Sequence, residues 1–190
     1  MRVISGERKG TQLKSVTGTG TRPTSDKVKE SLFNMIGPYF TGGVVLDLFG
    51  GSGGLAIEAL SRGMDRAVIV EKDGRALSAI RDNLEKCRFT GRAELFRSDA
   101  ARAVQATIRK GGAFDLVFLD PPYARDTYYG LAGELAEAGL IRAGGRIVCE
   151  HDRTVELPES YGGFRKEKEH VYGGTVITIY GGNEEGENNG

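Results

Sequence analysis

From Val44 onward, short β-rich apolar runs alternate with amphipathic helical stretches, a pattern that constrains the chain to a mostly parallel sheet covered on both faces. Strands are expected at 44–48, 67–70, 93–96, 114–119 and 146–149, with helices at 54–61, 74–86, 100–109 and 127–138. Strict alternation stops near the C-terminus. There 164–171 and 175–180 are β-like runs separated only by Tyr172, Gly173 and Gly174, as in an antiparallel hairpin. The expected sheet therefore has seven strands and ends in that antiparallel hairpin.

The segment before Val44 reads differently. Residues 3–6 and 11–16, with Gly10 between them, suggest a short β-hairpin with a basic turn, and 17–21 a flexible connector. Ser25 and Asp26 then supply cap-type side chains ahead of Val28, Leu32, Phe33 and Ile36, which share one helical face until Gly37-Pro38 ends it. Formal net charge is zero, yet residues 1–30 hold seven basic against three acidic side chains, while the last ten carry only Glu184, Glu185 and Glu187. We divide the chain into a basic extension (1–40), the sheet domain (41–180) and an acidic tail (181–190) expected to be disordered.

At 190 residues this is one ordinary domain with enough chain for a real core. No apolar run approaches the roughly 18 to 20 residues that span a bilayer, and the opening Met1 to Gly6 has no signal-peptide stretch, so a cytoplasmic protein without membrane contact is expected. Cys87 and Cys149 lie far apart with no ligand-spaced neighbours; neither a metal nor a disulfide is expected, and both read as buried thiols.

The loop after the first strand, Asp47-Leu48-Phe49-Gly50-Gly51-Ser52-Gly53, opens a helix at the sheet edge where ligands bind. Its glycines let the main chain approach a ligand closely. Gly51-x-Gly53-x-x-Ala56 also fits the dinucleotide fingerprint, so the loop alone does not separate a nicotinamide cofactor from S-adenosylmethionine. Three acids sharpen the choice. Asp47 would attract the ammonium of a methionyl group and repel a pyrophosphate. Glu71, followed by Lys72, ends the second strand 21 residues after Gly50, where an acid binds both hydroxyls of an adenosine ribose. Asp99 and Ala100, after the third strand, offer a carboxylate and an N–H to adenine. These acids, with the terminal hairpin in place of a sixth parallel strand, favour a Rossmann-like class I S-adenosylmethionine-dependent methyltransferase sheet.

Asp120-Pro121-Pro122-Tyr123 follows the fourth strand, so a rigid diproline turn begins where the chain leaves the sheet. An exocyclic amine on a nucleic-acid base is a poor nucleophile because its lone pair is delocalised into the ring. Acceptors on both its hydrogens would direct that lone pair at a sulfonium methyl, and the Asp120 carboxylate and Pro121 carbonyl can supply them. Asp120 also offsets the positive charge that builds on nitrogen. Tyr123 offers a π-face to an extruded base. His151 and His170 read as surface or packing residues, since this chemistry needs no histidine base.

The segments Met1 to Gly6, Arg22-Pro23-Thr24 through Phe33, the loop 47–53 with Glu58 to Gly63, and Asp120 to Tyr123 together resemble the bacterial 16S ribosomal RNA guanine-N2 methyltransferase family. The resemblance covers residues 1 to about 180 and departs at Gly51, alanine in many relatives, and in the acidic tail. It implies methyl transfer to N2 of a guanine in 16S rRNA, within the small ribosomal subunit or its assembly intermediate, by a monomer. Arg2, Arg8, Lys9, Lys14, Arg22, Thr24 and Tyr123 would then meet RNA. A DNA or other RNA amino-methyltransferase would share the site, although the chain has no spare stretch for a DNA target-recognition region. A nicotinamide-dependent oxidoreductase is supported only by the glycine loop and Glu71, and a non-catalytic RNA-binding module would have no use for an intact Asp120 to Tyr123.

Overall fold

A computed structural model describes residues 1–16, 25–122 and 126–182. Helix α1 (Asp26–Ile36) begins where the Ser25 hydroxyl accepts the Val28 amide, and it buries Leu32 and Phe33. The alternating region follows as β1 (Val44–Asp47), α2 (Gly54–Ser61), β2 (Arg66–Glu71), α3 (Gly74–Lys86), β3 (Ala93–Arg97), α4 (Ala100–Lys110), β4 (Phe114–Leu119), α5 (Gly130–Glu137) and β5 (Ile141–Asp152). The chain ends in β6 (Ser160–Tyr161), β7 (Phe164–Tyr172) and β8 (Thr175–Gly182). One eight-stranded sheet has the order β3-β2-β1-β4-β5-β8-β7-β6, parallel from β3 to β5 and antiparallel thereafter.

The central strands are buried almost throughout, which is why they read as continuous apolar runs. On one face Val45, Ile69, Leu116 and Phe118 meet Ile57 and Leu60 of α2, Ile80 of α3 and Leu32 and Phe33 of α1. On the other, Leu46, Val117 and Leu119 meet Val104 of α4 and Leu131 and Leu135 of α5. Val3 and Leu13 belong to the first cluster with Leu32 and Phe33, so residues 1–16 and α1 pack into the same core as the sheet.

The expected elements are present, with differences that have physical causes. The N-terminal hairpin shrinks to a single bridge, Arg2 with Gln12, because α2 takes its backbone donors. Ile4 and Ser5 amides donate to the Glu58 carboxylate at 2.8 and 3.2 Å, and the Glu7 amide donates to the Ser61 carbonyl. Seven expected strands become eight because Ser160–Tyr161 pairs with Arg165 and Phe164, too short a run to show a period. β5 starts at Ile141, ahead of the expected 146, and runs through Gly144 and Gly145 with a register shift against β4. The acidic tail starts later than expected, since Gly181 and Gly182 belong to β8. A Cβ at either would run into the Glu167 side chain or the Phe164 ring, so glycine here marks close packing. The stretch from Thr127 opens as a 3-10 turn (Asp126–Tyr129) before α5. The expected connector 17–21 and the tail from 183 lie outside the described residues.

Candidate active site

The C-terminal edges of β1, β2, β3 and β4 surround a cleft of about 640 Å³. Its floor is the glycine loop, held by main-chain bonds: the Gly50 amide donates to Val70 O, and Gly53, at φ 84, caps α2 and donates to Gly50 O. Gly51, at φ 59, has open space where a Cβ would stand, so the main chain faces the cleft bare. Asn83 of α3 anchors the loop's far side by donating to the Ser52 and Lys14 carbonyls at 2.8 and 3.0 Å.

Of the residues expected at the cofactor site, Asp47, Phe49, Gly50, Gly51, Ser52, Glu71, Lys72, Asp99, Ala100 and Asp120 line this one cleft, as does Pro122. Gly53 and Pro121 are not part of the lining; Gly53 acts through the turn it makes. Arg22, Thr24 and Tyr123 lie outside the described residues. Met1, Lys29, Arg97 and Tyr128 also line the cleft and were not expected there. For Lys29 a signal existed: it shares the helical face of Leu32, Phe33 and Ile36. It is fully buried, donates to Arg2 O at 2.7 Å and lies 3.5 Å from Glu58, which also pairs with Arg62 at 3.1 Å. Burial pulls the Lys29 amine below its ordinary value, and the Glu58 carboxylate works against that.

The acids differ in how they are occupied. Asp47 is 1% exposed and accepts the Phe49 amide at 3.1 Å. It has no ion-pair partner among the described residues, and burial, opposed by that hydrogen bond and reinforced by the Glu71 charge, raises it to about 7. Glu71 ties the strand end to the loop, accepting Gly51 N at 2.8 Å through one oxygen and Lys72 N and Asp73 N through the other. Asp99 caps α4 and accepts the Tyr128 hydroxyl at 2.9 Å, while Tyr128 meets Phe49 edge-on. Burial works to raise Asp99, but the Tyr128 hydroxyl and the cap amides outweigh it and hold it below the usual carboxylate range.

Asp120 stands half-buried at the rim, where β4 ends. Removal from water, then the charges of Glu150 and Asp47 and a hydrogen bond with Glu150, raise its carboxyl well above the usual range. His151 is buried, with its Nε2 2.7 Å from the Thr178 hydroxyl, and His170 is exposed beside Tyr172. Both cysteines are free and buried. Among the described residues no cluster of three metal-ligating side chains occurs, and no helix is long and apolar enough to cross a membrane.

The expected RNA-facing side chains divide into two kinds. Arg8 Nε donates to the Cys87 carbonyl at 2.6 Å and its guanidinium lies 5.7 Å from the Phe89 ring centroid, so much of this side chain serves the fold. Arg2 and Lys14 sit at the surface in ion pairs with Asp26 and Asp82, and Lys9 is exposed with no ion pair to another described residue.

A parallel sheet closed by an antiparallel hairpin, with acids from successive strand ends around one cleft, defines the class I methyltransferase fold. The chain belongs to the family described as Conserved hypothetical protein 95, which it matches over residues 1–181. It is 49% identical over 180 residues to a Bacillus subtilis protein named "Putative rRNA methyltransferase YlbH", covering 95% of this chain and 98% of that one. It is 30% identical over 187 residues to Ribosomal RNA small subunit methyltransferase D of Escherichia coli, covering 98% of this chain and 92% of that one. Among solved structures, Escherichia coli yhhF superposes with a TM-score of 0.84 at 28% identity, covering 97% of this chain and 99% of that chain.

Proposed function

We propose that this protein transfers a methyl group from S-adenosylmethionine to the exocyclic N2 amine of a guanine in 16S rRNA, acting as a cytoplasmic monomer on the small subunit or its assembly intermediate. The observation that carries the reading is the convergence of Asp47, Glu71 and Asp99 on one cleft with Asp120 and Pro122 at its rim. The residues fit the cofactor. Asp47 is a buried acid with no ion-pair partner among the described residues, suited to an ammonium; Glu71 and Asp99 suit ribose and adenine; and about 640 Å³ lies within the roughly 300–1,000 Å³ of small-molecule sites. The choice of rRNA rests on the relatives' names and that of guanine N2 on the resemblance of the N-terminal and Arg22-Pro23-Thr24 segments.

When bound, S-adenosylmethionine supplies an electrophilic methyl on a sulfonium. The chain's own residues do the rest. The Asp120 carboxylate and Pro121 carbonyl accept the two amine hydrogens, turning the lone pair toward the cleft. Pro122 keeps that turn rigid. The Asp120 charge offsets the cation that builds on nitrogen, and Tyr123 stacks on the base. Asp120→Ala should keep its fold and lose roughly 10²–10³ in single-turnover rate on unmodified small subunits at saturating cofactor. A rate within threefold of wild type would sink the assignment of Asp120.

A further inference from the structure

The wall that carries Asp120 holds a second carboxyl outside the sequence motif. Parallel pairing sets Leu119 of β4 beside Cys149 of β5, so Asp120, where β4 ends, stands next to Glu150 within β5, whose carboxyl acts on it by its charge and a side-chain hydrogen bond. Two carboxyl groups can bond each other only with a proton between them, so this contact holds only while the pair keeps one. The Glu150 peptide is itself pinned, because the Tyr129 hydroxyl donates to its carbonyl at 2.5 Å.

We propose that Glu150 is a positioning residue for methyl transfer: through the shared proton it fixes the orientation of the Asp120 carboxyl and sets the pH at which Asp120 becomes an anionic acceptor for the target amine. This rests on the reading of Asp120 given above. Among the described residues, the groups that face Asp120 are Glu150 from β5, Asp47 from β1 and the Tyr129 hydroxyl from the turn before α5. Asp47 is presented to the cofactor, and Tyr129 bonds the Glu150 main chain, which leaves Glu150 as the side chain bonded to Asp120. A negative neighbour disfavours the anion, so wild-type Asp120 ionises late and the methylation rate rises with pH through that ionisation.

Glu150→Gln keeps the shape and offers an amide donor to Asp120 but removes both the charge and the shared proton. The acid limb of the single-turnover rate should move to lower pH by about one unit or more, with the RNA KM unchanged. Glu150→Ala should instead lower the maximal rate by roughly tenfold or more at every pH, because the carboxyl loses its orientation. A second readout needs no cofactor: infrared titration of aspartate-labelled free protein, with Asp120→Asn identifying the band, should show the Asp120 carboxyl ionising at lower pH in Glu150→Gln. Acid limb and carboxyl titration both unmoved in Glu150→Gln would overturn the proposal. Failure of the Asp120 reading itself would look different, since Asp120→Ala would then keep its rate.

Discussion

Replacing Asp47 with Asn should stabilise the ligand-free protein and weaken its cofactor site, and the structure sets the size of both effects. Asp47 is 1% exposed and its carboxyl ionises at about 7 instead of 3.8. A folded-state value above the unfolded one means that the folded chain holds the extra proton between those limits. The resulting stability is whole below about pH 4 and is lost as pH rises through about 7. At about 1.36 kcal/mol per pH unit, the ceiling on that loss is roughly 4 kcal/mol. Asn carries no charge at any pH, so urea unfolding of ligand-free protein should show the variant gaining on wild type from pH 5 to 8, by up to a few kcal/mol at pH 8. Calorimetry with S-adenosylmethionine at pH 8 should show the opposite trade, a loss on the order of 1.5–3 kcal/mol as the ammonium loses a charged partner. Parallel stability curves for the two proteins across that range would refute the reasoning, because Asp47 would then not be titrating there.

Three further variants divide binding from folding. Glu71→Ala should weaken S-adenosylmethionine binding by 1.5–3 kcal/mol on the order of magnitude of a charged hydrogen bond, or by more, since it also releases the Gly51 amide from the strand end. Unchanged calorimetric affinity would remove Glu71 from the site. The pair Lys9→Ala and Lys14→Ala should flatten the slope of log RNA affinity against log salt by up to about 0.9 for each phosphate no longer neutralised, with cofactor affinity untouched, and a wild-type slope would make the basic segment purely structural. Arg8→Ala should act chiefly on stability, losing about 1–3 kcal/mol in urea unfolding as the Cys87 carbonyl and the Phe89 ring are left without the guanidinium; wild-type stability would return Arg8 to the RNA-facing set.

The parallel part of the fold was legible because burial on both faces writes strands as unbroken apolar runs, and helix starts as acids or hydroxyls that cap. The start of α3 follows from such a signal, with Asp73 capping it through the Arg75 and Ala76 amides, whereas α2 follows Gly53, which has no side chain to cap it. The acids at the strand ends were legible for the same reason: each is a polar residue where an apolar run stops. What was not legible depends on partners far away in the chain. The N-terminal hairpin lost its ladder to Glu58, more than fifty residues on. Arg8 looks like a free surface cation until the Cys87 carbonyl is placed beside it. Glu150 sits in a run, Val148-Cys149-Glu150-His151, that carries no motif, and only the register of β5 against β4 brings it to Asp120.

The central claim is that this cleft presents a guanine amine of small-subunit RNA to a sulfonium methyl. Its most direct test is to incubate the protein with methyl-labelled S-adenosylmethionine and unmodified small ribosomal subunits, digest the RNA and identify the labelled nucleoside by mass spectrometry. The account predicts N2-methylguanosine at a single position of 16S rRNA, lost with Asp120→Ala. Label on another base, on protein, or on no component of the subunit would contradict it.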